Sequence, residues 1–193
     1  GPALAGWIIV DFDITTAFVI NVLGYGIHLT STMFLRTPAG YVKPAKSRHT
    51  VVGDMIEGVR YIVNHRGIAS LLVLLLVGDA LLAAVFHMTP AYSEQILGMG
   101  VVGVSAILAA RGFGATVAAL WLAHGGTKLV APSRVRSAYL VSTLAVGGLY
   151  LTTNLYLAIA ATVMIGLASE VRKTVSFSLI QFSVTEEQRG RVM

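Results

Sequence analysis

The sequence has no cysteine among its 193 residues, which excludes disulfides and thiolate metal sites. Charge is also scarce. Asp, Glu, Lys and Arg make up 12% of the chain, about half of the roughly 25% usual in soluble domains. With 55% hydrophobic residues and a mean hydropathy of +0.77, water is not the main solvent of this polypeptide. The N-terminus has no charged segment followed by a short apolar core, so no cleavable signal peptide is expected. No nucleophile with a base, metal-ligand spacing or cofactor fingerprint is present, so the sequence predicts no enzyme, no cofactor and no metal.

A further absence is positional. Lys and Arg are missing from every second gap between the long apolar stretches, and 13 of the 14 fall in the other gaps: Arg36 to Arg66, Lys128 to Arg136, and Arg172 to Arg191. Basic residues accumulate on the cytoplasmic side of membrane proteins. The alternation therefore predicts an all-α polytopic membrane protein with these gaps inside. It also explains the formal charge of +5 without a nucleic-acid partner.

About 20 apolar residues cross ~30 Å of hydrocarbon at 1.5 Å each. Thr15 to Phe34, Ile68 to Met88, Val101 to Ala123, Ala138 to Leu151 and Leu155 to about Thr174 read as successive spans. The fourth is short and is expected to draw on residues upstream, from Arg136. Between the first two, Met55 to Val63 alternates apolar and charged residues in a helical pattern suited to the headgroup layer.

The opening run Gly1-Pro2-Ala3-Leu4-Ala5-Gly6 carries small residues at a spacing that lets helices approach closely in lipid. Together with Ala17-Phe18 and Asn21, it resembles the fifth- and sixth-helix segments of the major facilitator superfamily. Gln181 followed by Thr185-Glu186-Glu187-Gln188-Arg189-Gly190-Arg191-Val192-Met193 resembles an element after the tenth helix in the prokaryotic drug and siderophore exporters similar to the enterobactin exporter. The resemblance implies a partial major facilitator fold, from the end of helix five to the loop after helix ten. Residues 1–34 would end the first bundle, 35–67 would form the cytoplasmic linker, and 68–193 would begin the second bundle. The loop Gly125 to Arg136 keeps the family's glycines and basic residues but lacks its Asp.

A charge at bilayer depth is costly unless it meets a partner or a wet cavity. Asp79 and Arg111 lie 11 and 10 residues into their spans, near the midplane, on consecutive antiparallel helices. They are expected either to form a proton-coupling pair in the transport path or to satisfy one another structurally. Glu170, Arg172, Lys173, Gln181, Arg189 and Arg191 lie toward the inner end of the last span. Glu170 and Lys173 share a helix face as a local pair. Through the resemblance, the group becomes a candidate inner gate. His28, His87 and Tyr92 are weaker candidates.

The resemblance implies a secondary active transporter, an antiporter for efflux of a drug or siderophore across the prokaryotic inner membrane. Its partners would be protons, a small-molecule substrate, the lipid bilayer and the remaining helices of the full-length transporter. The alternative is a non-transporting scaffold or partner subunit derived from a transporter.

Overall fold

In the computed structural model, residues 8, 12–34 and 51–183 are described, and every regular element among them is helical. Helix α1 spans Ile14–Met33, α2 Val51–Asn64, α3 Arg66–His87, α4 Thr89–Gln95, α5 Gly100–Gly125, α6 Pro132–Leu151 and α7 Leu155–Ser183. A 3-10 turn, Gly126–Leu129, follows α5. Gly1, Pro2, Gly6, Arg189 and Arg191 lie outside the described residues.

Each apolar stretch is a helix, with two changes of extent. Helix α6 begins at Pro132, upstream of Ala138, because proline suits the first helical turn. Helix α7 runs nine residues past Thr174, since Arg172 and Lys173 are interior to it and do not mark its end. Three helical stretches are long and apolar enough to cross a membrane: Arg66–Gln95, Gly100–Leu129 and Leu155–Ser183, of 29 or 30 residues. At 1.5 Å per residue each covers about 45 Å, the hydrocarbon plus both headgroup layers. Helices α1 and α6 have 20 residues each. Helix α6 is the less apolar of the two, carrying Ser137, Ser142 and Thr143, and α1 carries Asn21 and His28.

Helix α7 is the centre of the packing. Toward its C-terminal end Ala168, Val171 and Val175 pack with Ala118 and Leu122 of α5 and Val135 of α6. Toward its N-terminal end Ala158 and Ile165 pack with Ile107 of α5 and Leu149 of α6. Small residues bring the backbones of α5 and α7 into contact: Gly114 sits against the Val163 carbonyl, and Gly166 against the Arg111 carbonyl. Gly112, on the same helix as Gly114, faces open space. Leu76, Phe113, Leu120, Leu144 and Leu157 point outward and are exposed. This is the pattern of a protein whose outer surface meets apolar surroundings.

Helix α3 lies antiparallel to α7, with Ile68 and Leu75 against Ile180. Helix α2 joins this end through Tyr61 and Ile62, whereas Ile56, Val59 and Val63 form an exposed stripe. At the opposite end, the turn before α5 needs left-handed glycines, Gly98 at φ 65° and Gly100 at φ 49°. Ser93 Oγ donates to the Gly100 carbonyl and fixes that turn.

Candidate functional site

Asp79 is thirteen residues past Arg66, about 20 Å along α3; Arg172 is eleven residues before Ser183, about 16 Å from the end of α7. Because these helices are antiparallel, the two side chains reach the same depth. Arg172 Nη2 meets Asp79 Oδ1 at 2.5 Å, and Lys173 Nζ lies 3.7 Å from Oδ2. Arg172 is the buried member, 1% exposed, whereas 44% of the Asp79 side chain is open. A buried guanidinium needs this carboxylate more than the carboxylate needs the guanidinium.

Arg172 Nη1 also approaches the Leu75 carbonyl at 3.5 Å and the Tyr139 hydroxyl at 3.4 Å. Tyr139 in turn donates to the Leu74 carbonyl. Gly78 makes room for this cluster, since a Cβ there would sit 2.5 Å from Arg172 Nη1.

The expected direct partnership of Asp79 with Arg111 is corrected by this geometry. Arg111 is half-buried, with its Cζ 4.0 Å from the centroid of the Phe86 ring. It shares a cleft of about 370 Å³ with Asp79, Lys173, His87, Leu82, Ala83 and Phe86. Arg111 and Asp79 therefore face one space without bonding across it. A second, largely apolar cleft of about 470 Å³ lies between α3 and α6, and Arg172 and Tyr139 border it. Thus the ion pair forms a wall between a charged cleft and an apolar one.

The chain matches the model of the Major Facilitator Superfamily over residues 1–193. The chain belongs to this superfamily. Neither a curated protein nor a solved structure matches it. Membership makes the chain a membrane protein of a secondary-transporter family, in which small-molecule substrates bind within the membrane. Asp79, Arg111 and Lys173, which wall this cleft, each lie in the middle part of one of the three long apolar helical stretches.

The other expected residues fall elsewhere. Glu170 accepts from Thr174 Oγ1 at 3.0 Å while Lys173 turns to Asp79, so the anticipated Glu170–Lys173 pair is replaced by two separate contacts. Gln181 is exposed more than two turns beyond Arg172. Tyr92 ties α4 to the end of α6 through the Leu149 and Thr152 carbonyls, 2.9 and 2.7 Å away. His28 is exposed on α1. In the loop that lacks the family's Asp, Arg134 lies over Trp121, 5.3 Å from its ring centroid.

Sequence reasoning missed the roles of Arg172 and Tyr139. The available signal was the run of small residues Gly166, Ala168, Ser169 and Ser176 around Arg172. Such a run marks a helix buried on several sides.

Proposed function

We propose that the chain is the middle part of a proton-coupled exporter of small organic molecules in a prokaryotic cytoplasmic membrane, from the branch resembling the enterobactin exporter. In this reading residues 1–34 end one helix bundle, 35–67 link the bundles and 68–193 begin the second. The observation that carries it is a carboxylate in the middle part of a long apolar helix whose partner is fully buried while it remains open to a cleft.

Such a carboxylate can exchange a proton with the cleft, and protonation removes the counter-charge of Arg172. Arg172 cannot give up its own proton, so the attachment of α3 to α7 weakens. Beside the apolar packing of Ile68, Leu75 and Leu82, α3 is held by these polar contacts, and once they loosen it shifts relative to the α5–α7 core. Rocking of one helix group against another around a midplane site is how such folds alternate access.

The test uses the full-length transporter in cells with an imposed pH gradient and follows efflux of fluorescein, ethidium and Nile red. Asp79→Asn alone strands Arg172, so the charge-neutral pair Asp79→Asn, Arg172→Gln is the informative variant. Wild type should export at least one dye in a gradient-dependent way, and the double variant should insert normally but lose that dependence. Gradient-driven efflux that survives in the double variant, or export of none of the dyes by wild type, would overturn the reading.

A further inference from the structure

The charged cleft holds more positive than negative side chains. Arg111, Lys173 and the adjoining Arg172 face one carboxylate, Asp79, and no second carboxylate among the described residues lines the space. Arg172 occupies Asp79 Oδ1 at 2.5 Å, whereas Lys173 stands off at 3.7 Å and keeps 40% of its side chain exposed. The looser contact leaves Lys173 free to turn to another anion.

Arg111 is set for the same task. One side of its guanidinium rests on the Phe86 ring, a cation–π contact that holds it in place without using its N–H groups as a carboxylate would. Its remaining donors are available to the cleft, where a planar carboxylate can accept two of them at once. Leu82, Ala83 and Phe86 supply an apolar wall beside these cations, suited to a flat hydrocarbon body. Uncompensated cations at this depth are costly and are best offset by an anion that brings its own apolar surface.

Building on the transporter reading, we propose that this cleft binds an aromatic organic anion. Arg111 and Lys173 grip its carboxylate, and Phe86 and Leu82 line its ring. Asp79 remains with Arg172 and repels any ligand that approaches too near its second oxygen, which fixes the head of the anion toward Arg111. The apolar cleft on the other side of the ion pair is unsuited to this ligand, because the guanidinium that borders it is already engaged.

The test is equilibrium binding to the purified full-length protein in detergent at constant pH, with no gradient. It compares 2-naphthoate, 2-naphthamide and 2-naphthylmethylammonium, which share one ring system and differ in charge. The naphthoate should bind at least tenfold more tightly than the amide, and the ammonium should bind most weakly. Arg111→Gln and Lys173→Gln should each weaken naphthoate binding about tenfold, equivalent to ~1.4 kcal/mol, and leave amide binding unchanged. If Arg111→Gln fails to fold, Lys173→Gln, whose side chain is 40% exposed, supplies the same comparison.

Preference for the ammonium, equal binding of anion and amide, or anion preference retained without both cations would each overturn the proposal. These outcomes are separable from the efflux experiment, since loss of gradient dependence in the Asp79 variant bears on coupling and not on the charge of the ligand.

Discussion

The contact between α5 and α7 and the contact between α3 and α7 join helices of similar length by opposite means. Helices α5 and α7 meet backbone to backbone, with Gly114 against Val163 and Gly166 against Arg111, and Ala110, Ala118, Ala158 and Ala168 buried along the seam. Helix α3 reaches α7 and α6 through side chains: Ile68, Leu75 and Leu82 in apolar clusters, the Asp79–Arg172 pair, Tyr139 to the Leu74 carbonyl, and Tyr150 to the Val85 carbonyl at 3.4 Å. Clefts flank it on two sides. Close van der Waals packing of small residues admits one arrangement, because any displacement opens a void or a clash. Polar side chains on flexible stems can keep or exchange partners as the helix moves. We infer from this difference that α5–α7 is the more rigid pair and α3 the more readily displaced helix.

The largest effect is expected where that seam is overfilled. Gly166→Val places a Cβ against the Arg111 carbonyl, which belongs to a helix backbone and cannot rotate away. We expect a loss of about 3 kcal/mol, the upper part of the usual overpacking range, seen as a lower midpoint in detergent unfolding. Gly112→Ala, facing open space in the same helix as Gly114, should be neutral or gain up to ~1 kcal/mol from helix propensity. Equal destabilisation by both substitutions would show that the seam is not the rigid element.

Breaking the polar attachment should cost no more than this and do so unequally. Asp79→Asn leaves Arg172 buried without a counter-charge and is expected to cost ~3 kcal/mol, the low end for a broken buried pair. Arg172→Gln leaves a carboxylate that is 44% exposed and has Lys173 nearby, so about 1 kcal/mol is expected. In double-mutant cycles Asp79 and Arg172 should couple by more than ~1 kcal/mol, and Asp79 and Arg111 by less than ~0.5 kcal/mol. Stronger coupling to Arg111 would mean that Asp79 exchanges partners across the cleft and that α3 is held differently.

Tyr139→Phe removes one bond to the α3 backbone and leaves the ring in place, a change of about 1 kcal/mol. Hydrogen exchange should show faster opening of α3 amides around Leu74 to Gly78 with α7 unaffected. Faster exchange in both helices would mean that they open as one unit and would remove the distinction between them.

The helices were legible because an apolar run long enough to cross a bilayer leaves few alternatives to a helix. The depth of Asp79 was legible for the same reason, as it follows from a count along one segment. Its partner was not. Arg172 and Lys173 look like the basic end of a span, and only tertiary packing shows that α7 continues through Ile180 and Ser183. Arg111 was chosen because the sequence favours helices that follow one another closely, whereas the bundle places α7 beside α3 across three intervening helices. Small residues at Gly166, Ala168, Ser169 and Ser176 held the missing information, since a helix with such a surface is crowded by backbones and a charge within it must be paired. The short helix α4 went unnoticed because seven residues give too little pattern to separate a helix from a turn.

The smallest effect concerns α1, where neither kind of attachment operates and nearly every described side chain is exposed. Its N-terminus depends on a local bond: Asp13 Oδ1 accepts from the Thr16 amide at 2.7 Å. That backbone hydrogen bond is the main cause holding the Asp13 carboxyl below its ordinary value of 3.8. A carboxyl depressed by folding stabilises its helix at pH values above the unfolded value and loses that contribution as pH falls through the lower folded value. Normalised amide protection at Thr16 and Ala17 should therefore be constant from neutral pH to about 4 and then decline. Asp13→Asn, a cap of similar quality without a titrating group, should keep protection flat through the same range. Asp13→Ala should lower it at every pH. If protection in the wild type instead followed α5 and α7 and ignored both substitutions, α1 would be held by contacts between helices, and it would belong with the rigid group.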